Sequence, residues 1–261
     1  MPSATDFVLE LAARGRYHFI TDDAVTALGG SVVAVRAALR RLKAKREIAD
    51  PYRGFHVILS PEYRRLGCLP AEQFIPQLMH HLGEPYYAAL LSAAELHGAA
   101  HQRPQAFQVM VKTNRRPIEC GQVRVQFVAR KDLHRTPTVQ TNTPRGPLLV
   151  ASPEATALEL VGYADQCGGL DNVASILAEL VETLDSQKLI AAAQQCPIAW
   201  VQRLGYLLDL TEHRKLGDVL APLVKDLAHV FAPLVRARPN AGATRLERWK
   251  LAVNASVDPD Q

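Results

Sequence analysis

Basic side chains concentrate in one short stretch of the chain. Residues 31–46 contain six Lys or Arg and no Asp or Glu. Such side chains bind phosphates, and arginine also recognises base edges in the major groove of DNA. The first 65 residues carry 11 Lys or Arg against 7 Asp or Glu, and the remaining chain carries 19 of each, so the whole net charge of +4 belongs to this end. A localised basic excess indicates a module that binds a polyanion, although a charge run is more often a solvated helix face.

The elements predicted around this stretch favour the first interpretation. Apolar residues between Phe7 and Ala12 follow a helical spacing, and this helix is expected to end near Gly15. Thr21 is predicted to cap a second helix that stops at Gly29-Gly30, and Ser31 to cap a third that runs from Val32 to about Arg46. A short helix, a glycine turn and a longer helix are typical of a helix-turn-helix.

A β-hairpin is predicted directly after the third helix. Apolar runs at 48–49 and 55–59 flank the turn-forming residues 50–54, a pattern that indicates two paired strands. A hairpin that follows a recognition helix acts as a wing, and Arg53 at its tip would contact a backbone phosphate. Residues 1–66 are therefore predicted to form a winged helix-turn-helix that binds double-stranded DNA.

The third helix has two predicted faces. At 100° per residue, Val32, Val35, Leu39 and Leu42 form an apolar stripe that packs on the first two helices. The opposite side combines small alanines, which allow a close approach to base edges, with basic side chains. The predicted DNA contacts are Ser31, Arg36, Arg40, Arg41, Lys43, Lys45 and Arg53.

The remaining chain is predicted to form a second domain and a tail. Residues 67–70 are interpreted as a linker, and residues 70–235 as a small sheet followed by helices, with strands at 107–111 and 123–129. Residues 236–261 are interpreted as a loosely ordered basic tail, with a second nucleic-acid contact as the alternative. The fold class is α+β: a winged helix-turn-helix, then a mixed α/β region that becomes mainly helical.

Residue types that could support catalysis do not combine into a site. His97 and His101 have the i, i+4 spacing of metal ligands, but Gly98 lies between them and no third ligand is evident. His80-His81 likewise lack an evident third ligand. The strands predicted at 107–111 and 123–129 carry no carboxylate, whereas a metal-dependent nuclease needs a cluster of them. Phosphate-loop and nucleophile-elbow motifs are absent from the sequence. We expect no enzymatic activity, no metal and no cofactor.

The sequence also indicates where the protein acts. The four cysteines lie far apart without a C-x-x-C pair, which favours reduced thiols. No window of about 18 apolar residues is present, so no membrane span is predicted. Asp6 and Glu10 interrupt the first apolar stretch and argue against a signal peptide. A cytoplasmic location without membrane contact is expected.

Several segments resemble one known family. The first is 53–58, which begins Arg53-Gly54-Phe55-His56, together with 61–63. The second is 86–102, which begins Tyr86-Tyr87-Ala88-Ala89. The others are 123–131 from Val123, Ser152-Pro153-Glu154, and 203–208, which begins Arg203-Leu204-Gly205-Tyr206. The chain resembles the AbiEi antitoxins of bacterial abortive-infection toxin–antitoxin systems, in the form that carries an N-terminal winged helix. The resemblance extends from about residue 5 to residue 215.

The resemblance implies a function. Such proteins repress their own two-gene operon by binding repeats in its promoter, and they counteract a cognate nucleotidyltransferase toxin without requiring a stable complex with it. The DNA-contacting role carries over only to the winged-helix positions named above, and association of copies on repeated half-sites is expected. The alternative is a protein-interaction module that binds its toxin directly and uses the winged helix for docking. A metal-dependent nuclease is a third, weaker hypothesis.

Overall fold

The chain folds into two compact units. The computed structural model describes residues 2–99 and 104–259. The first unit comprises Met1–Tyr86, Gln105–Lys131 and Gln140–Leu149, and the second comprises Tyr87–Pro104, Asp132–Val139 and Val150–Gln261. The chain therefore passes between the units several times, unlike the two consecutive domains predicted from the sequence.

Helices and strands are both abundant in the described residues, as the predicted α+β class requires. The helices are α1 (Ala4–Ala13), α2 (Thr21–Leu28), α3 (Val32–Ala44), α4 (Ile75–Leu82), α5 (Leu90–Leu96), α6 (Pro153–Gly162), α7 (Leu170–Leu180), α8 (Ser186–Ala193), α9 (Ile198–Leu210) and α10 (Arg214–Leu227). The strands are β1 (His18–Ile20), β2 (Ile48–Tyr52), β3 (Phe55–Ile58), β4 (Tyr86–Ala88), β5 (Phe107–Val111), β6 (Ile118–Cys120), β7 (Val123–Ala129), β8 (Thr138–Thr143), β9 (Gly146–Ala151), β10 (Ala232–Pro233), β11 (Thr244–Leu246) and β12 (Leu251–Val253).

Helices α1, α2 and α3 share a small apolar core in the first unit. Val35, Leu39 and Leu42 of α3 are buried in this core, as the predicted stripe requires. Val32 does not join them, because it occupies the first position of the helix, ahead of the buried turns, and remains 44% exposed. The predicted cap of α2 is also wrong: Thr21 is already helical, and the Asp23 carboxylate accepts the backbone N–H of Ile20 at 3.1 Å.

The predicted hairpin is present as β2 and β3. These strands pair antiparallel, and β1 pairs antiparallel with the other edge of β3, which gives the strand order β1-β3-β2. Arg53 and Gly54 form the turn, where Gly54 adopts a left-handed φ of +78° that glycine accepts without strain.

The predicted linker at 67–70 is part of a core instead. Cys68 and Leu69 are 0% and 1% exposed, and they belong to the same apolar cluster as Phe55, Phe74 and Val125. The flanking Gly67 and Pro70 are typical of a linker, but here Gly67 adopts a left-handed φ of +76° directly before the two buried residues. Within the first unit, β5 pairs parallel with β7, and β6 pairs antiparallel with β7.

The second unit is mainly helical. Helix α6 is buried along most of its length, and Ser152 caps it by accepting the backbone N–H of Ala155 at 3.2 Å. Strand β4 precedes helix α5 and pairs parallel with β9 through Ala88 and Val150. No helix in the described part of the chain is long and apolar enough to cross a membrane.

The predicted loose tail is folded as far as residue 259. Strand β12 pairs parallel with β10 and antiparallel with β11. Trp249 is 1% exposed, because its indole covers α9 at the position of Gly205, which has no side chain. The burial of Trp249 and Leu251 anchors a segment whose polar composition suggested disorder.

Candidate nucleic-acid interface

Helix α3 presents a basic face to solvent. One side of the helix is buried through Val35, Leu39 and Leu42, so the opposite side faces solvent. The exposed positions include five predicted DNA contacts, namely Arg36, Arg40, Arg41, Lys43 and Lys45. Val33 lies on this side near the helix start and is 73% exposed.

The start of α3 is fixed by Ser31. The Ser31 hydroxyl accepts the backbone N–H of Ala34 at 3.2 Å, which satisfies one donor that the helix cannot pair internally. Ser31 itself is exposed, so this end of the helix faces solvent.

Lys43 differs from the other basic residues of α3. Its ammonium nitrogen lies 2.9 Å from the Asp50 carboxylate on β2, which holds the side chain toward the hairpin. Arg36, Arg40, Arg41 and Lys45 have no ion pair with any residue in the described ranges. Their charges are therefore available to an external anion, whereas that of Lys43 is partly neutralised.

A polar network under α3 joins three elements of the first unit. His56 Nδ1 donates to the second oxygen of Asp50 at 2.7 Å, and His56 Nε2 lies 3.0 Å from the Thr21 hydroxyl. Burial opposes ionisation of Asp50, but the hydrogen bonds from His56 and Lys43 outweigh it and hold the pKa of Asp50 below its usual value. The network thus fixes the start of α2 and the hairpin relative to α3.

A groove opens above this network. It is lined by residues of α2, α3 and the hairpin: Thr21, Val33, Arg36, Leu39, Arg40, Asp50 and His56. Sequence reasoning missed Asp50 and His56, although their places on either side of the hairpin turn could have paired them. The groove brings Arg36 and Arg40 together, while Arg53 lies exposed in the hairpin turn.

The surroundings of the histidines and cysteines decide whether these side chains could act as metal ligands or nucleophiles. His97 Nε2 donates to the carbonyl of Ala151 at 2.7 Å, and its predicted partner His101 lies outside the described residues. Across residues 2–99 and 104–259, no three His, Cys, Asp or Glu side chains cluster as metal ligands would. All four cysteines are free thiols, and burial raises the pKa of Cys167 to about 12, which makes it a poor nucleophile.

Comparisons with known proteins bear on the family and the fold. Residues 87–210 match the AbiEi antitoxin C-terminal domain. The crystal structure of the RV2827C protein from Mycobacterium tuberculosis has the same fold, with a TM-score of 0.67 and 17% sequence identity over 96% of this chain and 91% of that chain. No curated protein gave a significant match. Residues 87–210 are thus similar to the C-terminal domain of AbiEi antitoxins, and this match supports an antitoxin of that family.

Proposed function

We propose that this antitoxin is also a transcriptional autorepressor, and that residues 1–66 bind the promoter DNA of its own toxin–antitoxin operon as a winged helix-turn-helix. The exposed basic face of α3 carries this proposal. Four of its cations have no ion-pair partner among the described residues, and the face contains no acidic residue. A merely solvated helix would more often mix both charge signs.

In the proposed complex, α3 enters the major groove. A groove about 12 Å wide accepts a helix, and the alanines on the exposed face allow a close approach to the bases. Arg40 and Arg41 would contact guanine edges or phosphates, and the exposed side chain of Val33 suits a thymine methyl group. Arg53 in the hairpin turn would contact a phosphate beside the groove.

The proposed toxin is a nucleotidyltransferase that this protein counteracts without forming a stable complex. The family relationship supports the antitoxin role, and the kind of toxin comes from the resemblance. We expect the protein to act in the cytoplasm, to have no catalytic activity, and to occupy repeated half-sites as more than one copy, because single modules bind weakly.

The salt dependence of DNA binding tests the proposal. Fluorescence anisotropy with a labelled promoter duplex gives the slope of log affinity against log salt, which reports the number of neutralised phosphates. Arg41→Ala and Lys45→Ala should each reduce this slope by about one unit. Arg214→Ala, which removes an exposed arginine of the second unit, is the matched control and should leave the slope unchanged.

Two results would contradict the proposal. If both α3 variants bind promoter DNA as the unmodified protein does, α3 is not the recognition helix. If the protein and the product of the neighbouring gene co-purify as a stable complex, direct toxin binding replaces the proposed mode of neutralisation.

A further inference from the structure

A cavity in the second unit is lined by an unusual set of charged groups. Its volume is about 260 Å³, and it lies between the end of α6, the start of α7, helix α9 and the segments at 234–238 and 255–256. The charged side chains that line it are Arg203, Arg236, Arg238, Asp165 and Asp171.

Arg203 is the buried member of this set. It is 3% exposed, and its Nε donates to the carbonyl oxygens of Pro233 and Leu234 at 3.1 and 3.0 Å, while one terminal nitrogen donates to Pro233 at 2.9 Å. No carboxylate of the described residues pairs with it. Buried charges are normally paired, and these carbonyls supply dipoles without a compensating negative charge.

Arg203 nevertheless keeps its charge near neutral pH. Burial, with a smaller contribution from the positive charge of Arg236, lowers the pKa of Arg203 to about 10. The cavity therefore contains a buried guanidinium whose charge is not balanced by a carboxylate partner.

Two further features add positive potential. Arg236 and Arg238 line the same cavity, are exposed, and form no ion pair within the described residues. Gly169 lines the cavity immediately before helix α7, and it has no side chain that could cap the N–H groups of the first turn. Three arginines against two aspartates leave a net positive lining, and Asp171 is itself occupied in accepting the backbone N–H of Asp258 at 2.8 Å.

We propose that this cavity is a binding site for a phosphate group, either inorganic phosphate or a small phosphate monoester. Arginine guanidinium groups and a free helix N-terminus are the donors that phosphate prefers. The cavity is slightly smaller than typical ligand pockets, which fits a phosphate with a small organic part. Arg203 is buried but lines the cavity, so a small anion that enters the cavity can approach it. The backbone of a DNA duplex is too large to do so.

Calorimetric titration of the full chain with inorganic phosphate, in a chloride buffer of constant ionic strength, tests this proposal. Binding at one site per chain is expected. Arg236→Gln and Arg238→Gln should each weaken it about tenfold, the usual effect of losing a charge-assisted hydrogen bond. Asp165→Asn should strengthen it, because a negative charge is removed from the lining. Because Arg236 and Arg238 are exposed and form no ion pair among the described residues, both variants are expected to keep the stability of the unmodified protein to within about 0.5 kcal/mol.

Two control variants distinguish phosphate binding in this cavity from phosphate binding at exposed arginines elsewhere in the chain. Arg214→Gln removes an exposed arginine outside the cavity, and Arg41→Gln removes one from α3; both should bind phosphate as the unmodified protein does. A second titration with glycerol 3-phosphate compares the two ligand sources. Tighter binding of the ester would identify a monoester as the ligand, and equal binding would identify phosphate alone.

The proposal is overturned if no heat is detected at about 20 mM phosphate. It is also overturned if the control variants lose phosphate binding as much as Arg236→Gln does. Loss of duplex DNA binding in Arg236→Gln and Arg238→Gln, without any phosphate binding by the unmodified protein, would make this surface a nucleic-acid contact instead.

Discussion

The indole of Trp249 lies directly on the backbone of Gly205 in α9. A β-carbon at this glycine would be 2.2 Å from a ring carbon, well inside van der Waals contact. The indole N–H also donates to the Asp209 carboxylate at 2.7 Å, one turn further along the same helix. These two contacts attach the C-terminal segment to the helical part of the second unit.

Gly205→Ala should therefore destabilise the protein. The new methyl group would force Trp249 out of its place, and overpacking of this kind costs about 1–3 kcal/mol of unfolding free energy. Gly217→Ala is the matched control, since its β-carbon would lie 3.0 Å from the Asp209 carboxylate and 3.3 Å from the indole. Urea denaturation should show a clearly smaller loss for Gly217→Ala; equal stability of Gly205→Ala and the unmodified protein would contradict the packing.

A second glycine pair tests the close approach of two loops in the first unit. At Gly121, with a φ of +58°, a β-carbon would lie 2.2 Å from the carbonyl oxygen of Leu66 and 2.7 Å from Gly67. Gly15 has a φ of +75° but open space around it. Gly15→Ala should cost about 1–2 kcal/mol from backbone conformation alone, and Gly121→Ala should cost more because a clash is added. Thermal unfolding of the two variants measures the difference, and an equal shift would refute the contact.

The lowered pKa of Asp50 predicts a dependence of stability on pH. A carboxyl group whose folded-state pKa lies below its ordinary value of 3.8 stabilises the fold above that pH, and the contribution disappears as the pH falls through the folded-state pKa. Asp50→Asn should lower the unfolding free energy at pH 6 by about 1 kcal/mol and flatten its decline below pH 4. Denaturation series between pH 3 and pH 6 measure this. The exposed Asp226→Asn serves as the control, and a variant curve parallel to that of the unmodified protein would contradict the assignment.

Under the proposed function, Asp50 also limits the positive charge that α3 can offer to DNA. Asp50→Asn removes a negative charge beside α3 and releases Lys43 from its ion pair. The affinity for a promoter duplex should rise a few-fold at low salt, and the salt slope should gain about one unit. Arg40→Ala should weaken binding by about 1–3 kcal/mol if it contacts a guanine. A weaker affinity of Asp50→Asn than of Asp226→Asn would show that the network matters to DNA binding chiefly through the geometry of the hairpin.

Features set by neighbouring residues could be predicted from the sequence. The buried stripe of Val35, Leu39 and Leu42 follows from helical spacing, and the caps Ser31 and Ser152 each precede the helix they satisfy. The hairpin around Arg53 is equally local. These elements agree with the structure because their signals lie within one or two turns of chain.

Features that depend on distant partners could not be predicted. Cys68 and Leu69 are flanked by Gly67 and Pro70, which is a linker pattern until the core that receives them is known. Trp249 is buried only because Gly205, far away in the sequence, leaves room for it.

The candidate sites divide in the same way. The basic residues of α3 are visible in the sequence, whereas the pairing of Asp50 with His56 needs the strand register. The cavity around Arg203 is assembled from residues between Val161 and Ser256, which lie 95 positions apart, and no spacing rule would have grouped them.

The apolar core that surrounds Leu69 has a consequence for how this protein can be divided. Phe55 and Val57 of the hairpin strand pack in one cluster with Leu69, Phe74 and Val125. Truncation of the chain after residue 66 would remove the apolar neighbours of these hairpin residues and expose them to water. Residues 1–66 are thus not an exchangeable module, and recombination between relatives at this point would yield chimaeras that aggregate.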